Sequence, residues 1–418
     1  MSLLSACAFQ LLSLFAFSGA SGALTISDST LVGVAGEFRG DTPIYAPLAT
    51  SPNIALSITA PRAQFAIGYL PRIAFTDLSG DNRSPLVLHS AAAWVTAHGQ
   101  RWSLSAGQSL SIGQQNNTYL MPLPSRDPTA PADPSVASGP VTPPLPTDPA
   151  APVGIPQSDL RPNTRSLSLL SEQSSLSGSY GWTPRLRTLF QVSYGISGGR
   201  GASAEALLPS MHTASGSLAA EYALAPAQAL RTSAAVLYTD LSNGYTHRVV
   251  TLSETWTRRW APLTSTIAAA GAAVQVSDTP EGNREQRAIP VGLFGINHHI
   301  WRGGTALGLS ALVATAPRII SITGRMEPAV AAGSGLSVTH ERSTVGLSGD
   351  FSQTVPVDSN SVTVFGAGLL FNQQLSDWFG LGAGSRVQYQ RLRGSDLELP
   401  PVWSVFATAV VAVPTWIF

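Results

Sequence analysis

Residues 378–391 alternate with a period of two. Phe379, Leu381, Ala383, Val387 and Tyr389 fall on one face, and Gly380, Gly382, Gly384, Arg386, Gln388 and Gln390 on the other. Successive side chains of an extended chain point to opposite sides, so this segment is a strand with one apolar and one small or polar face. The theme recurs. Residues 212–224 set Ala214, Leu218, Ala220, Tyr222 and Leu224 against Thr213, Ser215, Ser217 and Glu221. Residues 229–240 set Leu230, Ala234, Val236 and Tyr238 against Arg231, Ser233 and Thr239. Residues 245–260 are less regular, because Glu254 shares a face with Val250 and Leu252, and its orientation stays open. Two architectures cover such apolar faces: a soluble sandwich buries them against a second sheet, and a membrane barrel turns them to lipid around a polar interior. Periodicity alone does not separate the two.

No run beyond the N-terminal segment reaches the roughly 18 apolar residues of a membrane helix. Ile267–Val276 is apolar, but short and rich in Ala and Gly. A chain like this crosses a membrane only as a closed barrel, where every backbone group pairs inside the hydrocarbon. Eighteen strands are predicted, with sixteen the lower bound, centred near residues 34, 56, 69, 91, 107, 172, 192, 218, 235, 252, 270, 293, 310, 333, 350, 367, 385 and 406. Short turns fall at Ala60–Arg62, His98–Arg101, Thr183–Arg185, Ala225–Gln228, Ala261-Pro262, Trp301–Gly304, Glu341–Ser343 and Ser376-Asp377. Longer loops at 40–52, 76–84, 114–164, 199–210, 278–286 and 317–325 fall mostly between them. Short periplasmic turns alternating with longer outer loops, and an even strand number, are the habit of bacterial outer-membrane barrels. The fold class read from the sequence is therefore all-β, a transmembrane antiparallel up-and-down barrel.

Aromatic residues support this reading. Trp102, Trp182, Trp260, Trp301, Trp378 and Trp416, six of the nine tryptophans, sit at or beside short-turn ends. The amphipathic indole belongs at a membrane–water boundary, whereas ordinary core tryptophans would scatter along the strands. The chain ends Val-Pro-Thr-Trp-Ile-Phe, and a terminal aromatic strand closing a run of hairpins resembles an outer-membrane barrel whose Phe418 serves as the assembly signal. That implies two partners, the barrel assembly machinery and outer-membrane lipids.

Residues 1–23 read as a secretory signal with Leu11–Phe17 as its apolar heart and Ser21-Gly22-Ala23 as a small-residue cleavage site, rivalled by Ser18-Gly19-Ala20. Its n-region lacks a basic residue, which points to a start further upstream. Cys7 follows a lipobox-like Leu4-Ser5-Ala6, but six residues cannot hold a signal before it. Without the leader the chain has no cysteine, so nothing supports a disulfide scaffold or thiol chemistry.

Residues 114–164 break the strand pattern. Thirteen of the 31 prolines lie here, among Ser, Thr, Asp and Ala. Such a segment buries too little apolar surface to fold alone, and it is predicted to be extended or disordered. It either links a separate domain, 24–113, to a barrel, or forms one long external loop of a single barrel spanning 24–418. Five strands precede it and thirteen follow; an odd barrel of thirteen is unusual, so parity favours the single barrel with the loop outside.

Catalytic patterns are missing. Gly346-Leu347-Ser348-Gly349-Asp350 misses the nucleophile elbow by one position. His298 and His299 are adjacent, so on a strand their rings point to opposite faces and do not share a metal. No cofactor, metal or enzymatic activity is expected. Net charge is zero, which suggests no nucleic-acid partner. Charged residues make up only 11%, about half the usual share, and all 24 basic residues are Arg. The lumen candidates are Arg231, Arg386, Gln388 and Gln390, with Glu221 a possible acidic partner. They either hydrogen-bond a hydrated solute or pair with one another and brace the wall.

From Arg165 the chain runs Arg-Ser-Leu-Ser-Leu-Leu, then Gly181-Trp182-Thr183-Pro184-Arg185-Leu186, Ser193-Tyr194-Gly195-Ile196-Ser197-Gly198-Gly199 and Ala206-Leu207-Leu208-Pro209. These stretches resemble outer-membrane barrels of myxobacterial and related gene clusters, some of which are the barrel component of polysaccharide export systems. The resemblance covers roughly 165–418 and its motifs are loose. It implies a channel in the outer membrane that translocates a hydrated polymer beside a periplasmic or lipoprotein export partner. A general diffusion porin for small solutes and a structural or adhesin-like barrel displaying the Pro-rich loop are the alternatives.

Overall fold

The computed structural model describes residues 21–37, 48–75, 86–116, 166–201, 205, 209–261, 263–319, 325–355, 362–392 and 398–417. Each of the eighteen predicted centres falls inside a strand. In chain order these are β1 (Ser21–Glu37), β2 (Leu48–Ala60), β3 (Ala63–Phe75), β4 (Leu86–His98), β5 (Trp102–Asn116), β6 (Ser166–Gly181), β7 (Leu186–Gly199), β8 (Met211–Ala225), β9 (Gln228–Leu241), β10 (Thr246–Ala261), β11 (Thr264–Asp278), β12 (Arg284–Arg302), β13 (Thr305–Ile319), β14 (Met326–His340), β15 (Ser343–Thr354), β16 (Val362–Gln374), β17 (Phe379–Leu392) and β18 (Glu398–Ile417).

Each strand pairs antiparallel with its sequence neighbours, and β1 closes the ring against β18 from Ala23↔Ile417 to Glu37↔Val402. The sheet has no edge. β1–β5 belong to the same ring as β6–β18, and β5 pairs with β6 from Trp102↔Tyr180 up to Asn116↔Ser166. The two ends of the Pro-rich connection therefore leave the wall side by side.

The strands are 12 to 20 residues long, against the roughly 9–11 that cross a bilayer. At the end of the longer loops they absorb part of what the sequence reads as loop. The predicted loop 278–286 shrinks to a turn at 279–283 because β12 already starts at Arg284; Gly282 takes φ 80° there, a conformation a Cβ would oppose. β1 likewise includes Ser21–Ala23, paired with Ser57–Thr59 of β2. The sequence reading puts those residues in the leader; cleavage at the rival site, after Ala20, would spare the strand.

Register carries one face around the ring. Leu218 lies opposite Ala234, and Ala234 opposite Leu252; Leu347 lies opposite Leu369. On this face Leu218 is 63%, Leu252 61% and Phe294 57% exposed. A continuous band of exposed large apolar groups on a closed sheet is the lipid face of a barrel. Glu254 belongs to it: it shares the parity of Val250 and Leu252 and lies between Thr232 and Ala270, neither of which can neutralise a carboxylate.

Candidate functional site: the barrel lumen

The opposite face of every strand encloses the lumen. Ring closure over eighteen strands at ordinary strand spacing and tilt makes the barrel roughly 35 Å across between backbones. Paired hydroxyls recur along the lumen wall. Cross-strand pairs tie Ser90 to Ser111 at 2.9 Å, Ser103 to Ser179 at 2.7 Å, Ser193 to Ser215 at 2.6 Å, and Ser233 to Ser253 at 2.9 Å. Thr339 and Thr344 repeat the pattern at 3.1 Å on the far side. Each hydroxyl both donates and accepts, so the pairs satisfy one another and still offer lone pairs to water or a solute.

Charges are few, and one pair of them is closed and largely buried. Arg386 and Asp350 pair at 2.9 Å, each side chain 17% exposed. The pair lies over Gly366: a Cβ built there would stand 2.6 Å from Asp350 Oδ2 and 2.7 Å from Arg386 Nη2. Glycine leaves the room the ion pair occupies. Gln388 sits beside Gly366 in register and is buried. Of the other lumen candidates, Glu221 and Arg231 face each other directly in register, and Arg187 flanks Glu221 from the other side. Arg187 also donates to Ser179 Oγ at 2.6 Å. Gln390 keeps the lumen parity of Arg386 and Gln388, but its side chain lies outside the described residues.

The sequence reading missed Asp350. It sits in the segment inspected for a nucleophile, and its alternation with Gly346 and Ser348 against Val345 and Leu347 was the available signal. Arg72, Arg187 and Arg259 were likewise legible by parity once their strands were in register.

β12 pairs with β13 only from Gly292↔Thr315 toward the short turn, so the upper β13–β14 hairpin is free to lean. Gln275 of β11 donates to the Met326 carbonyl at 3.0 Å, although β12 and β13 lie between β11 and β14 in the ring. The Met326 end of β14 therefore leans toward β11 across the lumen wall. Met326 packs with Val249, Ala273 and Ile289. Around it Gln275 also donates to Ser277, whose hydroxyl meets buried His247 Nδ1 at 2.8 Å, and Arg287 bridges Glu285 and Glu327 at 3.1 and 2.7 Å. A hydrogen bond with the Tyr245 phenol raises the pKa of Arg325, just before β14.

Besides Trp301, four of the six tryptophans that the sequence assigns to a girdle have described side chains at the short-turn end. Trp102, Trp182, Trp260 and Trp378 are all substantially exposed there. Trp182 Nε1 donates to Thr188 Oγ1 at 3.1 Å, and Trp260 Nε1 to Thr266 Oγ1 at 2.9 Å, with the Arg258 guanidinium 3.6 Å from the Trp260 ring centroid. Trp416 pairs through its backbone with Leu24; its side chain, and Phe418 altogether, lie outside the described residues. Trp301 departs from the girdle. It lies opposite Ala306 and shares the parity of Asn297 and His299, while Ile296 and Ile300 take the lipid face. Nearness to a turn placed it in the girdle by sequence, and strand parity puts it on the lumen side. His298 and His299 do separate, His298 meeting Thr264 Oγ1 at 2.7 Å and His299 lying opposite Gly308.

Residues 23–300 match the EpsX exopolysaccharide export family. No curated protein matches the chain. Solved structures similar to it include OccAB3 of Acinetobacter baumannii, at 9% identity over 96% of this chain and 100% of that one with a TM-score of 0.43. They also include OccK2 (OpdF) of Pseudomonas aeruginosa in complex with glucuronate, at 9% identity over 94% and 98% with a TM-score of 0.45. The copper transporter OprC is similar at 12% identity over 92% of this chain and 66% of that one, with a TM-score of 0.49.

Proposed function

Because the chain belongs to the EpsX exopolysaccharide export family, we propose that its barrel is the outer-membrane conduit through which a hydrated polysaccharide leaves the cell. The observation that carries this reading is the lumen wall: hydroxyl pairs run from β4 to β10, and the most buried of the described ion pairs is closed on itself rather than opposed across the lumen. Such a wall exchanges hydrogen bonds with a sugar chain at little net cost, since each donor–acceptor contact replaces an equivalent one to water. A wall of fixed opposed charges would hold a small ion instead. The barrel is wide enough for an extended glycan with its hydration water. A periplasmic or lipoprotein export partner would deliver the polymer at the short-turn end.

Depleting the protein in a cell that makes an exopolysaccharide tests this. The expected result is polymer retained in the periplasm, with small-solute uptake unchanged. Normal surface polymer together with impaired small-solute uptake would instead make the barrel a diffusion pore.

A further inference from the structure

We infer that Trp301 forms a stacking platform at the periplasmic mouth that receives uncharged pyranose units of the exported chain; this rests on the export reading above. Four observations converge on it. The first is the ring's position. Trp301 is the next-to-last residue of β12, at the short-turn end, on the lumen-side parity, and it is 68% exposed. A tryptophan on the lipid belt gains from its position, but one at an aqueous mouth leaves its largest apolar face in water unless something covers it.

The second is the floor beside the ring. Ala306 lies opposite Trp301, Thr339 lies beyond Ala306, and Gly308 lies opposite His299. These are small residues, so nothing bulky from β13 or β14 fills the space against the indole. At Gly308 a Cβ would stand 2.7 Å from Ser337 Oγ, so the backbone and that hydroxyl already approach closely. The third is the set of polar neighbours. Asn297 and His299 alternate along the same face of β12 and offer both donors and acceptors. An aromatic face flanked by amide, imidazole and hydroxyl groups suits a pyranose, whose axial C–H groups present one apolar face and whose hydroxyls ring the edge.

The fourth is charge. On the lumen-side positions of β11 to β15 near this mouth stand Ser265, Ile267 and Ala269, then Asn297 and His299, then Ala306, Gly308 and Ser310, Gly335 to Thr339, and Thr344 to Ser348, with no Arg, Asp or Glu among them. Nearby charges belong to the turns: Arg342 pairs with Asp377 at 3.4 Å, and Arg302 takes the opposite parity from Trp301. The cationic groups of the mouth, Arg187, Arg231 and Arg259, lie on β7, β9 and β10. A uronic acid or sulfated sugar would be drawn to that side; a neutral sugar finds its contacts at Trp301. The platform faces the periplasm, where an exported chain enters, so it would thread the first units rather than sieve the last.

The test is equilibrium binding of maltohexaose and of chitohexaose to the full-length folded protein in detergent, compared among wild type, Trp301→Ala, Trp301→Phe and Trp182→Phe. Loss of one stacked aromatic should weaken binding by about tenfold or more in Trp301→Ala. The Phe variant should retain most of the affinity, and Trp182→Phe, a girdle position, should leave it unchanged. Heat-modifiable mobility verifies folding of each variant. Wild-type binding that survives undiminished in Trp301→Ala overturns the platform and leaves the export reading standing. Wild type that binds neither hexasaccharide overturns the platform, and failure to bind an anionic oligosaccharide such as hexaguluronate as well would count against the export reading itself. Binding of the anionic probe alone would move the site to the arginine side and overturn the choice of an uncharged sugar.

Discussion

At the scale of single residues, the Asp350–Arg386 pair is the best-defined charge in the lumen, and its geometry depends on a glycine. Removing Asp350 leaves a guanidinium at 17% exposure without its carboxylate. Asp350→Asn is expected to lower barrel stability by about 2 kcal/mol, read from denaturant unfolding in lipid. Gly366→Val should cost a similar amount, because its Cβ would occupy the space between the two charges. The two changes combined should cost no more than the larger alone, since both break the same interaction; full additivity would show that Gly366 acts elsewhere. Arg386 and Gln388 were legible in the sequence because a clean period of two sorts side chains without any knowledge of partners. Asp350 was not matched to Arg386, because 36 residues and a whole strand separate them and only register brings them together. Trp301 shows the converse limit. Proximity to a turn and strand parity give different answers for it, and parity wins because the ladder continues through Trp301↔Ala306 to Arg302↔Thr305.

At the scale of elements, strand positions and the eight short turns were readable because each strand carries its own apolar face. The orientation of β10 was not, because Glu254 stands on the lipid side, where local pattern expects a polar group to be internal. Register settles it: the faces of β9 and β11 on either side leave β10 no choice. The inward lean of the β13–β14 hairpin was also invisible. It arises from a contact between β11 and β14 that no local pattern encodes. Gln275 holds it through the Met326 carbonyl and Ser277. Gln275→Ala should loosen the Met326 end of β14 and raise single-channel conductance, with the barrel still folded. Unchanged conductance would mean that Met326 is held by its packing with Val249, Ala273 and Ile289 alone, or that this end of β14 does not limit the current.

At the scale of the whole molecule, a closed ring of eighteen strands with its two Pro-rich-loop stems adjacent is one barrel, with no seam between β5 and β6. Closure, strand number and the direction of each face follow from alternation plus parity. What passes through does not, since the lumen becomes a surface only when eighteen separate half-faces are assembled, and its serine pairs join residues as far apart as Ser103 and Ser179. A wide passage lined mostly by uncharged groups can be read by single-channel recording in a planar bilayer across a salt gradient, with the full chain and with residues 118–160 removed. The shortened chain is expected to conduct widely with a reversal potential near zero, and the full chain to conduct less or to gate. A verified, folded barrel that stays silent in both forms, or one whose reversal potential shows strong selectivity for one ion, would contradict it.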